Sequence, residues 1–523
     1  MKILRPAAVL LALALIFSGC SSSVPDSIFY DITSKVSSYD PQMASDGSAL
    51  LIAGNCFEGL LRHGADGELE PAAAESWSVS DDGLTYTFKL KSGMLWSDGK
   101  TALTASDFVF GFRRLFDPAT DAPFRSDFMA VRNAAAVASG GLSAENIGVS
   151  APDDLTLVIS LESPDPFFPD LLATPAASPC NEAFFLSTRG RYGSTTDYIM
   201  FNGPFSVARI KEDVYYRLSR NAYYSGAAAG YANVYLYIQA ADGYSASARL
   251  LSGSIDAAPV EYTDVQALSD GGFTTEGYQD TVWVLAFNTR DEYLSNQSIR
   301  RAVYYASDRA SLLNRLPDNL SLAWTYVPPA VTLSGQSYRS LAGSRFSGFD
   351  YDPDMAGNLL SDGLEKLGKN KLDTLTIICP AEYLALMGLI QRSLQEDLAT
   401  FVNVKPLSAD ELEKAVSSGD YQLALIPVTV KYDTPAAFFS SLSSGDNVTG
   451  YSSSALTAAV QAAADAQTLD ESVSAYATAE QMVLQDMPMM PVFFEESYFA
   501  CSKDIKGLNY SPFGSHVAFY YAK

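Results

Sequence analysis

The chain has 523 residues, with 60 acidic against 35 basic side chains, so it carries a formal charge of −25 at neutral pH. A surface so acidic repels nucleic acid, and no basic patch in the sequence opposes that. With only two histidines, His63 and His516, little is left for His-dependent catalysis or a metal centre.

Met1 to Cys20 reads as a targeting segment. Lys2 and Arg5 form a basic start, and Ala7 to Phe17 is an apolar run too short to span a bilayer. Phe17-Ser18-Gly19-Cys20 has the form of a lipobox, with cleavage before Cys20 and lipid attached to it; an ordinary secretory leader is the alternative. Either way the mature chain is expected outside the cytoplasm. Losing Lys2 and Arg5 takes the charge from −25 to −27. Ser21 to Pro25 reads as a flexible tether. What remains is too long for one hydrophobic core and suits two or three domains. Cys56, Cys180, Cys379 and Cys501 are far apart with no C-x-x-C, leaving both a disulfide and four buried thiols open.

Ile28, Tyr30 and Ile32 alternate with Phe29, Asp31 and Thr33, which suits a short strand, and Ser37 to Pro41 reads as a turn. A short helix is expected around Asn55, followed by an exposed turn. Leu84, Tyr86, Phe88 and Leu90 alternate with Thr85, Thr87 and Lys89, the period of a half-buried strand after the Asp81-Asp82-Gly83 turn. Thr104 can cap a helix with Phe108, Val109, Phe112 and Leu115 at helical spacing, ending at Asp117-Pro118. Ala151 to Asp154 reads as a turn feeding a strand at Leu155 to Ile159. Val284 to Phe287 is an apolar strand ending in Asn288-Thr289, and Ser298 to Arg309 is helical. Asp352 and Pro353 read as cap and first residue of a helix. The same stretch falls short of a calcium loop, because Gly363 stands where the closing Glu belongs. Met489 to Phe494 is a further strand.

Several pieces resemble, in order and spacing, the family 5 extracellular solute-binding proteins that feed ABC importers of oligopeptides and dipeptides. These are Asn55 to Leu61, Pro71 to Trp77, Ser80 to Phe88, Trp96 to Gly99 and Thr104 to Phe110. Ser163 to Phe168, Asn202-Gly203-Pro204-Phe205, Leu218 to Tyr224 and Gly253 to Asp256 continue the likeness, as do Ser298 to Arg309. The resemblance covers nearly the whole mature chain, more loosely after Arg309. It implies an α/β, two-lobed periplasmic-binding-protein fold of type II, in the large cluster C form with an extra α/β subdomain. The division implied is a leader at 1–19, a tether at 20–27, lobe I at 28–58, 187–283 and 490–523, an extra subdomain at 59–186 packed on lobe I, and lobe II at 284–489. Charges in the 298–309 helix are expected to be structural.

For function the resemblance implies a lipid-anchored monomer on the extracytoplasmic face of the membrane. It would capture a solute, foremost an oligopeptide, between two hinged lobes and hand it to a membrane permease. No cofactor, metal or enzymatic activity is implied. Ser97-Asp98-Gly99-Lys100 matches S-x-x-K only inside a turn motif, and the spacing from Gly93 to Gly99 misses a phosphate loop by one residue. A sensor or surface lipoprotein without transport, and carriage of a non-peptide anionic solute, are the alternatives.

The implied ligand contacts begin after Asp40-Pro41, where the family has an edge strand pairing with the ligand. That places Ala44, Ser45, Asp46 and Gly47 at the cleft, with an ordinary surface loop as the alternative. Phe124 is placed at the pocket wall or in plain packing. Phe287 and Asn288 fall at a strand end, Phe493 on the return strand, and Val428, Thr429, Val430, Lys431 and Tyr432 in the second lobe's cleft strand. Peptide-binding members carry W-x-A-D-Y there, whose Asp meets the peptide's amino terminus. Here Val428 replaces the Trp and Lys431 the acid. Lys431 cannot hold an ammonium. Asp46 or Asp433 then takes that role, the ligand is anionic there, or Lys431 faces solvent.

Overall fold

Two strands, Phe273–Phe287 and Met489–Ser502, run antiparallel through the middle of an 11-stranded mixed sheet and organise everything else. The computed structural model describes residues 26–64, 68–165, 168–239, 243–343, 350–430, 432–443, 447–464, 466, 468–514 and 517–523. The leader, Cys20, most of the tether, Pro166, Phe167, Lys431 and His516 lie outside these residues. Across the sheet the strands run Val402–Leu407, Leu375–Pro380, Leu423–Thr429, Phe273–Phe287, Met489–Ser502, Ala257–Val260, Ser27–Ile32, Asn233–Ile238, Tyr215–Arg220 and Phe205–Lys211. Leu320–Leu322 pairs separately with the 493–495 part of Met489–Ser502.

The environment of the central strand changes along its length, and its sequence changes with it. Phe273 to Gln279 is mostly polar and partly exposed, whereas Thr281 to Phe287 is buried. In the buried half Trp283, Leu285 and Phe287 face one hydrophobic cluster, while Val282 and Val284 face another. A strand sandwiched between two cores reads as a continuous apolar run rather than an alternation. The pairing shifts register between Gln279 and Thr281, so Asp280 is the bulged residue where the two halves of the molecule meet.

On one side of this junction a single core unites Ile28, Leu218 and Leu236 with Phe88, Phe108, Phe112 and Phe116. The half-buried strand is found at Thr85–Leu90, in a four-stranded sheet with Ala74–Val79, Thr156–Ser160 and Val149–Asp153. Val149–Asp153 takes in residues whose sequence suggested a turn. The amphipathic helix is Ala105–Phe116, closed by a capping box between Thr104 and Asp107. On the other side, helices Gln297–Tyr305, Pro353–Leu367 and Leu384–Leu398 pack on the sheet around Leu285 and Ile377. Asp352 caps the second of these, its Oδ1 accepting from the Met355 amide at 2.9 Å. The expected 298–309 helix stops at Tyr305, and Arg309–Leu312 forms a separate 3-10 turn. Arg300 and Arg309 are both buried and donate mainly to backbone carbonyls, including those of Met487 and Pro491. Burial lowers the pKa of both.

Gly203, in the Asn202 to Phe205 motif, shows why no side chain is tolerated there. A Cβ would stand 2.6 Å from the Cys56 carbonyl carbon and 2.7 Å from the Phe57 nitrogen. Asn202 holds the same segment by donating Nδ2 to the Glu58 carbonyl at 2.8 Å. Gly203→Ala is therefore expected to destabilise by about 1–3 kcal/mol through overpacking. Urea unfolding checks this, and an unchanged midpoint would refute it.

Candidate ligand site at the lobe junction

The segment after Asp40-Pro41 is a turn followed by a helix, not the edge strand expected. Met43 and Ala44 both donate their amides to the Asp40 carbonyl, and Gly47–Cys56 is α-helical. Asp46 is its N-cap: Oδ1 accepts from the Ala49 amide at 2.9 Å, and Oδ2 accepts from the Ser37 amide and hydroxyl. The physical reason is the run Ser48 to Ala53, short and apolar on all sides, which is buried as a helix once the Asp is available to cap it. Ala44 is fully buried. Gly47 and Ser48 line a cavity of about 130 Å³ with Tyr30 to Thr33, Leu51, Pro259 and Tyr510. This cavity lies by the carboxyl ends of parallel strands Ser27–Ile32 and Ala257–Val260, where open α/β sheets place their ligands.

From the second half of the molecule, strand Leu423–Thr429 brings its carboxyl end to the same junction. Thr429 pairs with Thr281, and their hydroxyls are 3.0 Å apart. Leu423 and Ala424 have a second strand partner in Leu375–Pro380, but from Leu425 on that outer edge has none among the described residues. Val428 is half-buried, Thr429 exposed and Val430 buried in the core beneath. Tyr432 reaches across to the other half, its hydroxyl donating to Asp127 Oδ2 at 2.6 Å. Burial and the Asp127 carboxylate hold that phenol well above its usual pKa. Phe124 lies three residues from Asp127 and packs in the first core, so the structure joins two expected positions 308 residues apart in the chain. Gln461 makes a second bridge, donating to the Pro164 carbonyl at 3.0 Å.

Other expected positions lie elsewhere. Phe287 and Phe493 are fully enclosed in the second half's core, so neither ring offers surface to a solute. Asn288 sits at the far end of the 423–429 ladder, roughly 24 Å along the strand from Thr281 at ~3.4 Å per residue. Its Nδ2 donates to the carbonyls of Gly419 and Tyr421. It borders a pocket of about 1030 Å³ with Arg290, Lys405 and Gln422. The Gln422 side-chain amide there accepts from the Thr376 amide and donates to Asp291. Asp433 accepts from both the amide and hydroxyl of Thr332.

Asp280 was not anticipated. It is 5% exposed, and burial raises its pKa, with Glu495 adding to the effect. Oδ1 accepts from Ser497 Oγ at 3.0 Å and Thr281 Oγ1 at 3.3 Å. Only the strand register reveals it, since the sequence shows merely an acid ahead of an apolar run.

Other chemistry is sparse. Cys56, Cys180, Cys379 and Cys501 are free thiols, the first three buried. Among the described residues no group of three or more His, Cys, Asp or Glu could hold a metal, and no helix is long and apolar enough to cross a membrane.

A two-lobed α/β sheet protein with a junction of this kind has close counterparts. The family model of the bacterial extracellular solute-binding proteins, family 5, matches residues 68–450. This chain belongs to that family. The dipeptide-binding protein of Lactococcus lactis is 27% identical over 96% of this chain and 94% of its own length. A probable deoxycholate-binding periplasmic protein of Escherichia coli is 29% identical over 59% of this chain and 58% of its own. Listeria monocytogenes OppA bound to peptide superposes with a TM-score of 0.75 at 23% identity, covering 96% of this chain and 99% of that one. At that identity the superposition speaks for the fold.

Proposed function

We propose that this protein is the solute-capturing lipoprotein of an ABC importer, anchored through Cys20, taking an extended oligopeptide between its lobes and delivering it to a membrane permease. The observation that carries this is the outer edge of strand Leu423–Thr429, which lacks a strand partner from Leu425 onward among the described residues beside the junction. An extended peptide adds to such an edge through main-chain hydrogen bonds, which tolerate many side-chain sequences. Ala44 to Gly47 and the small cavity would face it from the first lobe, and Val428 to Tyr432 from the second. The lobes are taken as 28–58 with 187–283 and 490–523, and 284–489, with 59–186 as the extra subdomain. The contacts Tyr432 to Asp127 and Gln461 to Pro164 suit a closed arrangement. A ligand drives closure only by binding the closed state better than the open one. The protein acts as a monomer and without catalysis.

One observation favours a second reading, transport of a non-peptide anionic solute. Lys431 stands where peptide-binding members have an acid, and the relative named as probably deoxycholate-binding is among the more similar proteins. Calorimetry of the mature domain against a mixed peptide library and against bile-acid-like anions separates the two. Heat from peptides alone is expected. Heat from the anions alone would overturn the peptide reading.

A further inference from the structure

The four strands Ser27–Ile32, Asn233–Ile238, Tyr215–Arg220 and Phe205–Lys211 close one end of the large sheet and bury a single face. Ile28, Leu218 and Leu236 enter the first core, so by alternation Phe29, Arg217, Tyr235 and Tyr237 lie on the opposite face. Register sets Phe29 beside Tyr235, Tyr235 beside Arg217, and Arg217 beside Arg209. In the next row Tyr237 stands beside Tyr215, and Tyr215 beside Lys211. The rings touch one another. Phe29 stacks on Tyr235 with centres 5.1 Å apart, and the Tyr215 ring lies 5.4 Å from that of Tyr235 and 5.7 Å from that of Tyr237. All four rings are half-buried, and Tyr215 and Tyr235 pack into no hydrophobic cluster of the described residues. None of the three tyrosine hydroxyls has a hydrogen-bond partner among the described residues.

Charge on this face runs against that of the chain. Arg209, Lys211 and Arg217 frame the rings, and none of their side chains forms an ion pair or hydrogen bond among the described residues. The nearby acids are Glu212 and Asp213 at the hairpin tip, where Asp213 pairs with Lys35, and Asp31, which pairs with Arg249 at 2.9 Å. A local positive excess remains on a chain of formal charge −25. Repulsion of an anionic partner by the rest of the surface is screened beyond about 8 Å at physiological salt, so the local excess decides. Tyrosines with free hydroxyls beside Arg and Lys are the side chains that settle at the headgroup level of a bilayer. The order of the chain supplies the bilayer. Ser27 comes seven residues after Cys20, and so short a segment reaches at most about 25 Å. That is little more than the ~23 Å radius of gyration of a compact chain of this length. A lipid on Cys20 would thus keep the first lobe, with Phe29 near its point of attachment, against the membrane.

We infer that this aromatic and basic face docks the first lobe on an anionic phospholipid surface beside the anchor. This rests on the lipid at Cys20 proposed above. Tyr215, Tyr235 and Tyr237 sit among the headgroups, and Arg209, Lys211 and Arg217 meet the lipid phosphates. None of these six lines the small cavity by Gly47 and Ser48, so docking leaves the candidate site open.

The test is sedimentation of the mature chain with sucrose-loaded vesicles, using Cys20→Ser as the parent so that only the face can bind. Phosphatidylcholine vesicles with about a third phosphatidylglycerol are expected to pellet it, and pure phosphatidylcholine to leave it in solution. Salt near about 1 M, where the screening length falls to about 3 Å, should release it. Arg209→Thr, Lys211→Thr and Arg217→Thr together put strand formers on the outer strands, so the melting temperature should hold. Vesicle affinity of this triple variant should fall at least about tenfold. Equal pelleting of parent and variant would overturn the inference, as would a parent that stays in solution with the anionic vesicles. A concentration-dependent dimer, lost in the variant and formed without vesicle binding, would give the face to a second copy instead. Should the triple variant not fold, the exposed pair Arg209→Gln and Lys211→Gln is expected to lose affinity severalfold, and undiminished affinity counts against the docking face. Mass spectrometry of the full chain taken from membranes reads the anchor separately. A bare Cys20 removes the anchor and this inference with it, whereas a lipidated Cys20 without vesicle binding removes the inference alone.

Discussion

Glu480→Ala should cost the second lobe about 3–5 kcal/mol, the range for removing one member of a buried ion pair. Glu480 sits on helix Leu469–Asp486 with no exposed surface. One oxygen accepts from the backbone amides of Tyr326 at 2.7 Å and Val327 at 3.0 Å. The other accepts from the Tyr338 hydroxyl at 3.3 Å and from the Arg339 guanidinium. Four donors from Tyr326, Val327, Tyr338 and Arg339 converge on a single carboxylate, so its loss strands two amides and removes the acid paired with Arg339. Glu480→Gln keeps the shape and one acceptor, and should cost less, about 1–3 kcal/mol. Urea titration of both variants against the parent checks the order. A loss below about 1 kcal/mol for the alanine variant would show the pocket refills with water, contrary to this account.

How much of this was open to reading from the residues depended on whether a segment's environment was uniform. Thr85–Leu90 lies on one face of a small sheet, so its alternation was plain, and Ala105–Phe116 declares itself through the Thr104 and Asp107 cap and a single apolar stripe. Helix Gly47–Cys56 is buried nearly all round and carries no polar stripe, so it shows no 3.6 period, and analogy supplied a strand instead. The central strand was half visible. Val282 to Phe287 announced a buried strand, but Phe273 to Gln279, at an exposed edge, did not. For the site, family wording pointed to a cleft strand near Val428 to Tyr432, and the fold brings Thr429 and Tyr432 to the junction. It could not tell which end of a strand faces inward. Asn288 and Thr281 are seven residues apart on one strand, and only pairing with Thr429 identifies Thr281 as the inner end. The family's buried arginines fared better: Arg300 and Arg309 proved to be core fixtures holding carbonyls, as expected of structural charges. Asp280 escaped because a bulge is a property of two strands together.

The same logic singles out Arg114, whose replacement should loosen the first-lobe side of the candidate site as well as the fold. Arg114 projects from helix Ala105–Phe116 into a buried space, where Nη1 donates to Gln42 Oε1 at 2.6 Å and to Asp40 Oδ1 at 3.2 Å. Nη2 donates to Asp40 Oδ2 at 2.5 Å, and the guanidinium lies 4.5 Å from the Phe185 ring centre and 4.8 Å from that of Tyr192. Asp40 in turn opens the turn that leads into Gly47, since its carbonyl receives the Met43 and Ala44 amides. Helix Ala105–Phe116 therefore braces the turn before the cavity through this ion pair and the bond to Gln42. Arg114→Ala leaves Asp40 charged and buried, and should cost about 3–5 kcal/mol. Asp40→Ala should cost about as much by stranding the guanidinium. If the pair acts as a unit, the double variant loses far less than the two single losses together, and Arg114→Met with Asp40→Leu regains part of the stability through apolar packing. Ligand binding should distinguish stability from positioning. The repacked pair, though folded, is expected to bind its solute more weakly, because the turn before Gly47 has lost the bonds that set its course. Additive single losses, or full affinity in the repacked variant, would mean that the turn is held by its own backbone and that Arg114 only fills space.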